Sequence, residues 1–214
     1  MQGHRPARTS APGTSPGNPD LNWIVNLISG IADDVLPDIC AMLLAAATGA
    51  RRGEVVAIKW SDFSGSRLTI RRSLVESEGQ LFERRTKTGS KGHRTIAIDA
   101  ETMRAIDALR TRQRAIAKEH ELPDPVYVFS FDAGVTPWRP DYVSLAYGRM
   151  SKREYRLHDL RHYHATQLLA AGVPVTTVSK RLGHTSAAVT LNTYGHWLPE
   201  QDRDAADIIG RLLG

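Results

Sequence analysis

The chain has 214 residues, 41% of them hydrophobic and 24% charged, with one cysteine and a formal net charge of +5. This is an ordinary soluble composition, long enough for one domain or a domain and a half and for a sizeable core. One cysteine excludes an internal disulfide, and the moderate basic excess permits a polyanionic partner without requiring one.

Residues 1–20, MQGHRPARTSAPGTSPGNPD, are rich in Pro, Gly, Ser and Thr and carry almost no large apolar side chain. They bury too little surface to offset chain entropy, so a disordered tail or linker is expected, with a folded domain over 21–214. No apolar stretch follows the basic residues as a secretory signal requires, and a reducing cytoplasm is the default compartment. Asp20 is a plausible N-cap for a helix in which Trp23, Ile24, Leu27, Ile28 and Ile31 recur at helical spacing.

A second helix runs through PDICAMLLAAAT and stops at Gly49; Cys40 should pack inside it as a small apolar residue. This apolar run falls short of the about 20 residues that span a bilayer, so no membrane association is expected. A third helix is expected from RRGEVVAIKW. The period then changes from helical to alternating. In RLTIRRSLV, Leu68, Ile70 and Leu74 alternate with Thr69, Arg71 and Ser73, as in a half-buried strand. With QLFERR and HRTIAI this reads as a three-stranded antiparallel meander. Residues 67–94 contain Lys or Arg at 67, 71, 72, 84, 85, 87, 91 and 94 against Glu76, Glu78 and Glu83, which concentrates the basic excess on the sheet. Helical patterns return at 100–119, about 140–150, 158–171, 175–182, 186–194 and 200–213. The fold class expected is mainly α with one small three-stranded antiparallel sheet.

Four places can carry chemistry. In LHDLRHYHATQLLAAGV the apolar stripe Ala165, Leu168 and Leu169 extends back to Arg161 and His158. An inward arginine must be paired. Asp159 or a glutamate elsewhere is one solution; an anion held in the first helical turn is the other. In ATGARRGEVVAI, Arg51, Glu54, Val55 and Ile58 share a face, with Glu54 placed to orient Arg51, while Arg52 points elsewhere, into solvent or onto a phosphate backbone. In TKTGSKG, Lys87 and Lys91 flank a turn: either a solvated hairpin tip or a hairpin that delivers an ammonium group. Finally, in RLGHTSAAVTLNTYGH, Gly183 and His184 end one helix, Thr185 or Ser186 can cap the next, and Ala188, Val189 and Leu191 can pack. Tyr194 falls at the end of that helix with its ring anchored and its hydroxyl near the surface, and Gly195 suits the C-terminal cap.

Taken together, TGARRGE, TKTGSKGHRTIAI, HDLRHYHAT, LGHTSAAVT and LNTYGH resemble, in order, the catalytic domain of the tyrosine recombinase (phage integrase) family, over roughly residues 21–213. Each motif is weak alone; five in order at suitable intervals are specific. The resemblance implies Arg51, Lys87, His158, Arg161, His184 and Tyr194 as catalytic residues. It makes Tyr194 the nucleophile that forms a 3′-phosphotyrosyl link, the two arginines clamps on the non-bridging oxygens, the histidines phosphate donors and Lys87 the leaving-group acid. Glu54 and His196 would support them; Arg52, Arg71, Arg84, Arg85, Lys91, Lys180 and Arg181 would contact DNA. The implied partner is double-stranded DNA, with a tetramer on synapsed sites and a monomer without DNA; neither metal nor cofactor is implied. Family members also carry an N-terminal helical domain that closes around DNA. Only a short tail occupies that place here, so an excised or truncated catalytic domain is expected.

Two other readings compete. His158 and His162, four residues apart with Asp159, His164, His184 and His196 available, suit a zinc hydrolase. Yet the glutamate of an HExxH motif is missing, and Arg161 would repel a cation. QLLAAGVPVTTVSKRLGHTS resembles a helix-turn-helix with Lys180 and Arg181 facing DNA, a reading that leaves Arg51, Arg161 and Tyr194 without roles.

Overall fold

The computed structural model describes residues 35–85, 93–195, 198 and 202–213, and everything below refers to them. The expected N-terminal helix, Lys87, Lys91 and His196 lie outside the described residues, as does the side chain of Arg85.

Helix α1 (Leu36–Thr48) forms the centre, with Ile39, Cys40, Met42 and Leu44 wholly buried. Cys40 packs as expected for an apolar residue, its thiol turned toward the Ala105 carbonyl, and burial pushes its pKa up to about 12. The helix ends at Gly49, where φ is 65°. A Cβ there would lie 2.7 Å from Leu182 and 3.0 Å from His164. Glycine is therefore required both by conformation and by close approach. Helix α2 (Arg52–Val56) is shorter than RRGEVVAIKW suggests and stops before Ile58. A 3₁₀ turn (Trp60–Asp62) then leads into the strands.

The strands pair differently from a meander. Strand β1 (Phe63–Ser64), β2 (Arg67–Ile70) and β5 (Arg94–Ala97) form one antiparallel sheet in the order β1-β2-β5, with Leu68 opposite Ile96. Strand β3 (Arg72–Ser77) leaves that sheet and pairs with β4 (Gln80–Arg85) through a two-residue turn, Glu78 and Gly79, both at positive φ. The run read as one strand breaks at Arg71 because β3 is held elsewhere. A Cβ on Gly53 of α2 would lie 2.4 Å from the Leu74 carbonyl, so helix and strand touch backbone to backbone. Burial still alternates as the sequence suggested, through Leu68, Ile70 and Leu74.

The remaining helices fall close to the expected places: α3 (Ala100–Glu119), α4 (Pro140–Met150), α5 (Leu157–Ala170), α6 (Val175–Leu182), α7 (Ala187–Tyr194) and α8 (Asp202–Leu213). Helices α3, α4 and α5 pack on α1 and close the main core. A smaller cluster of Ala165, Leu169, Val178, Leu182 and Tyr194 joins α5, α6 and α7. No described helix is long and apolar enough to cross a membrane.

Candidate active site

The site is built where three helix ends meet. A helix C-terminus leaves carbonyls without intrahelical partners and carries partial negative charge. At the end of α1 these carbonyls select cationic or N–H donors. The ring Nδ1 of His164 lies 2.9 Å from the Ala46 carbonyl, Arg181 Nη2 donates to Ala47 at 2.9 Å, and Arg161 Nη1 donates to Gly49 at 2.5 Å. The other arm of Arg161 donates to the Leu182 carbonyl, at the end of α6, at 2.8 Å. Arg161 is 3% exposed, so the inward face predicted for it is real. Its partners are two helix ends, however, not a carboxylate. Asp159 instead accepts from the Arg156 backbone at the start of α5. Burial first, then repulsion from Arg51, lowers the Arg161 pKa to about 10, so it stays charged near neutrality.

Arg51 precedes α2. Its backbone N–H donates to Glu54 Oε2 at 2.9 Å, and its guanidinium lies 3.4 Å from Oε1. Its side chain is 49% exposed, leaving donors for a ligand. Glu54 is nearly fully buried and does more than orient Arg51. Arg94 grips both of its oxygens, at 3.1 and 2.7 Å. Burial alone would raise the Glu54 pKa; the hydrogen bonds and charge of Arg94 outweigh it, and the carboxyl sits below its ordinary value.

On the other side, Gly183 caps α6 with φ 65° and turns the chain into His184. Nδ1 of His184 lies 2.8 Å from the hydroxyl of Thr190, which is wholly buried. Burial and the charges of Arg161, Arg51 and Arg94 push the His184 pKa down to about 4, so its imidazole is neutral above that pH. His158, in the first turn of α5, stands edge-on to His162 (4.7 Å between ring centroids), and His162 edge-on to Tyr194 (5.5 Å). Desolvation, then His162 and Arg161, lowers the His158 pKa. Tyr194 is 4% exposed, more enclosed than a surface hydroxyl would suggest. Burial raises its pKa, and Arg161 and Arg51 pull the other way.

Two expectations for α7 are corrected. Ala188, Val189 and Leu191 are exposed; Thr190 and Tyr194 face inward, and they are the residues that seat His184 and the ring. Gly195 occupies the C-cap with φ −58°, so it supplies no left-handed turn.

The structure thus gathers Arg51, Glu54, His158, Arg161, His184 and Tyr194. One of the basic residues expected to meet DNA is turned to protein: Arg181 points into the α1 terminus and approaches His164 Nε2 at 3.3 Å. Arg52 remains exposed and pairs on the surface with Asp141 at 2.6 Å. Arg71 lies 3.6 Å from Asp62, and Lys180 and Arg84 are exposed. Two contributors escaped sequence reading, and a third, His162, was offered by it only as a zinc ligand. Arg94 was visible only as one of many basic sheet residues. His162 has the i,i+4 spacing to His158 that a helix makes into contact. A cleft of about 780 Å³ beside Arg51 and His158 is lined by Arg149, Arg153 and Arg156 as well as Arg52, together with the exposed Leu145. Among the described residues no three His, Cys, Asp or Glu side chains are grouped to hold a metal ion.

This arrangement of helices, sheet and hairpin is shared with solved recombinase structures. The Tn1549 transposon integrase in complex with a circular intermediate DNA matches with a TM-score of 0.66 and 19% identity, over 90% of this chain and 63% of that one. XerA recombinase matches with a TM-score of 0.64 and 20% identity, over 94% and 66%. At those identities the likeness establishes the fold. The family described as "Phage integrase family" matches residues 21–201, and the chain belongs to it. Among curated proteins, the ICEBs1 integrase of Bacillus subtilis (strain 168) is 29% identical over 192 residues, 87% of this chain and 52% of that protein. The tyrosine recombinase XerC-like protein of Caldanaerobacter subterraneus subsp. tengcongensis is 30% identical over 195 residues, 80% and 48%. The chain spans about half the length of these relatives.

Proposed function

We propose that this chain is the catalytic portion of a site-specific DNA recombinase that breaks and rejoins strands through a covalent 3′-phosphotyrosyl intermediate on Tyr194. The observation that carries the reading is the set of arginines and histidines gathered about one enclosed tyrosine. Arg51 and Arg161 flank Tyr194 closely enough to oppose the rise in its pKa, and both depress His184. Such an excess of donors fits a phosphodiester whose charge grows in the transition state. Tyr194 attacks phosphorus, and its proton passes to a neighbouring base; His184, neutral near pH 7, can accept it. His158 donates to a non-bridging oxygen. Lys87, in the sequence between β4 and β5, protonates the departing 5′-oxygen. The phosphotyrosyl ester retains the bond energy, so attack by another 5′-hydroxyl reverses the step and joins strands.

Double-stranded DNA is the partner, met by the arginine-lined cleft and by Arg71, Arg84, Arg85, Lys91 and Lys180. Helix α8 presents Ile208, Ile209, Leu212 and Leu213 to solvent, and we assign it to contacts between protomers in a synaptic tetramer. Incubation with a nicked suicide substrate tests the reading. A protein–DNA adduct stable to denaturant, formed in EDTA and absent from Tyr194→Phe, is expected. Adduct formation that survives Tyr194→Phe overturns it, and cleavage that requires added Zn²⁺ returns the site to the hydrolase reading.

A further inference from the structure

Two of the catalytic groups proposed above reach the site from separate elements: Arg51 from the residue ahead of α2 and His184 from the turn after α6. One side chain touches both routes. Arg94 opens β5. Its two terminal nitrogens hold the two oxygens of Glu54, whose carboxylate also receives the backbone N–H and guanidinium of Arg51. Its Nε donates to the Arg181 carbonyl at 2.7 Å, two residues before Gly183. It also lies flat against that turn: a Cβ on Gly183 would sit 2.8 Å from Arg94 Nη1 and 3.2 Å from its Cζ. All three kinds of nitrogen are thus engaged, in opposite directions, by a residue only 9% exposed.

We propose that Arg94 is the positioning residue of this active site, a planar fork that fixes Arg51 through Glu54 and fixes His184 through the Arg181–Gly183 turn. This rests on the recombinase reading of the site. A lysine cannot replace it, because one ammonium on a flexible stem cannot hold both carboxylate oxygens and a carbonyl on the far side. Arg94 itself is shielded from DNA by the groups it holds, so its loss acts on the rate of cleavage and not on affinity.

The test compares Arg94→Lys, Arg94→Met, Glu54→Gln and the Glu54→Gln/Arg94→Met double variant in the full chain. Adduct formation on suicide DNA should slow by roughly 10²-fold in each single variant, the loss expected when a reacting group is misplaced by about 1 Å. The dissociation constant for DNA should stay within about 2-fold. The double variant removes the buried charge pair together and avoids stranding Glu54, so it keeps the test alive if Arg94→Met fails to fold. Its loss should match that of the single variants and not multiply them, the signature of two residues acting as one unit. Multiplied losses, or a folded Arg94→Lys cleaving at the parent rate, overturn the proposal. A second readout needs no cleavage: NMR titration of His184 in DNA-free protein. Its pKa should rise in Arg94→Met, which removes one of the charges that depress it, and stay near the parent value in Arg94→Lys. If the parent protein itself forms no adduct, the recombinase reading fails. The titration then still decides whether Arg94 acts on His184, and an unmoved His184 in a folded Arg94→Met overturns it.

Discussion

The junction of α1, α5 and α6 and the C-terminal helix α8 handle their difficult groups in opposite ways. At the junction, polar groups are buried and satisfied: His164, Arg181 and Arg161 meet the carbonyls of Ala46, Ala47 and Gly49 at the end of α1, and Arg94 closes on Glu54. On α8, apolar groups are bare: Leu212 is 76% and Leu213 83% exposed. Satisfying buried groups within one chain makes the proposed catalytic geometry available before any ligand arrives. An uncovered leucine face does the reverse, and under the proposed function it is assigned to contact with another protomer. On that proposal the contrast separates chemistry, prepared inside the protomer, from assembly between protomers.

The largest effect belongs to the prepared region. Tyr194→Phe removes one hydroxyl from an enclosed ring, so folding and DNA retention in a mobility shift should persist while the covalent adduct disappears entirely.

Lys87→Ala tests the proposed general acid. Loss of a general acid slows cleavage by about 10²–10⁴-fold. A 5′-bridging phosphorothiolate substrate, whose thiolate leaves unprotonated, should restore nearly the parent rate. Lys91→Ala should show only a modest binding defect. Rescue of Lys91→Ala instead would exchange the two lysines, and no rescue of either would pass the role to a histidine.

Arg161→Met probes the junction as structure. It strands the carbonyls of Gly49 and Leu182, and each buried acceptor without a donor is worth about 1–3 kcal/mol. Denaturant unfolding should show a loss of about 2–6 kcal/mol by that reckoning. A loss below about 1 kcal/mol would mean that water replaces the guanidinium and that the junction is less closed than its hydrogen bonds imply.

Acid should loosen the same region. His164 and His184 titrate near pH 4 in the folded protein, against an ordinary value of 6.5. Below pH 6.5 the unfolded chain takes up protons that the folded chain refuses, so stability falls as pH drops from 6.5 toward 4. The slope is at most about 1.4 kcal/mol per pH unit for each imidazole. It should be nearly halved in His164→Gln; an unchanged slope would place the acid sensitivity elsewhere.

The smallest effect on folding belongs to α8. Leu212→Ser with Leu213→Ser should change monomer stability by no more than about 0.5 kcal/mol each, as for exposed positions. Assembly on paired DNA sites should nevertheless weaken in sedimentation. Intact assembly would remove the role assigned to the bare face.

Read alone, the chain placed most of its described helices, because periodicity and glycine stops are local. Helix α1 ends at Gly49, α4 begins at Pro140 and α6 ends at Gly183, where the sequence placed them. The motif order likewise led to Arg51, His158, Arg161, His184 and Tyr194, since short catalytic strings carry their spacing with them. Partnership between distant segments was not legible. Residues 67–75 look like one strand, and only contact with Gly53 shows why β3 departs from β2. Ala188, Val189 and Leu191 look like a buried face, yet the mean hydropathy of a helix does not say which side its neighbours occupy. Arg161 could have met a carboxylate; the tertiary structure supplied the ends of α1 and α6 instead. Arg94 is indistinguishable in sequence from Arg71 or Arg84, and its role follows from Glu54, forty residues away, and Arg181, eighty-seven away, meeting at one guanidinium. Local propensity is written in neighbouring residues, whereas a buried charge acquires its partner only when the chain has closed around it.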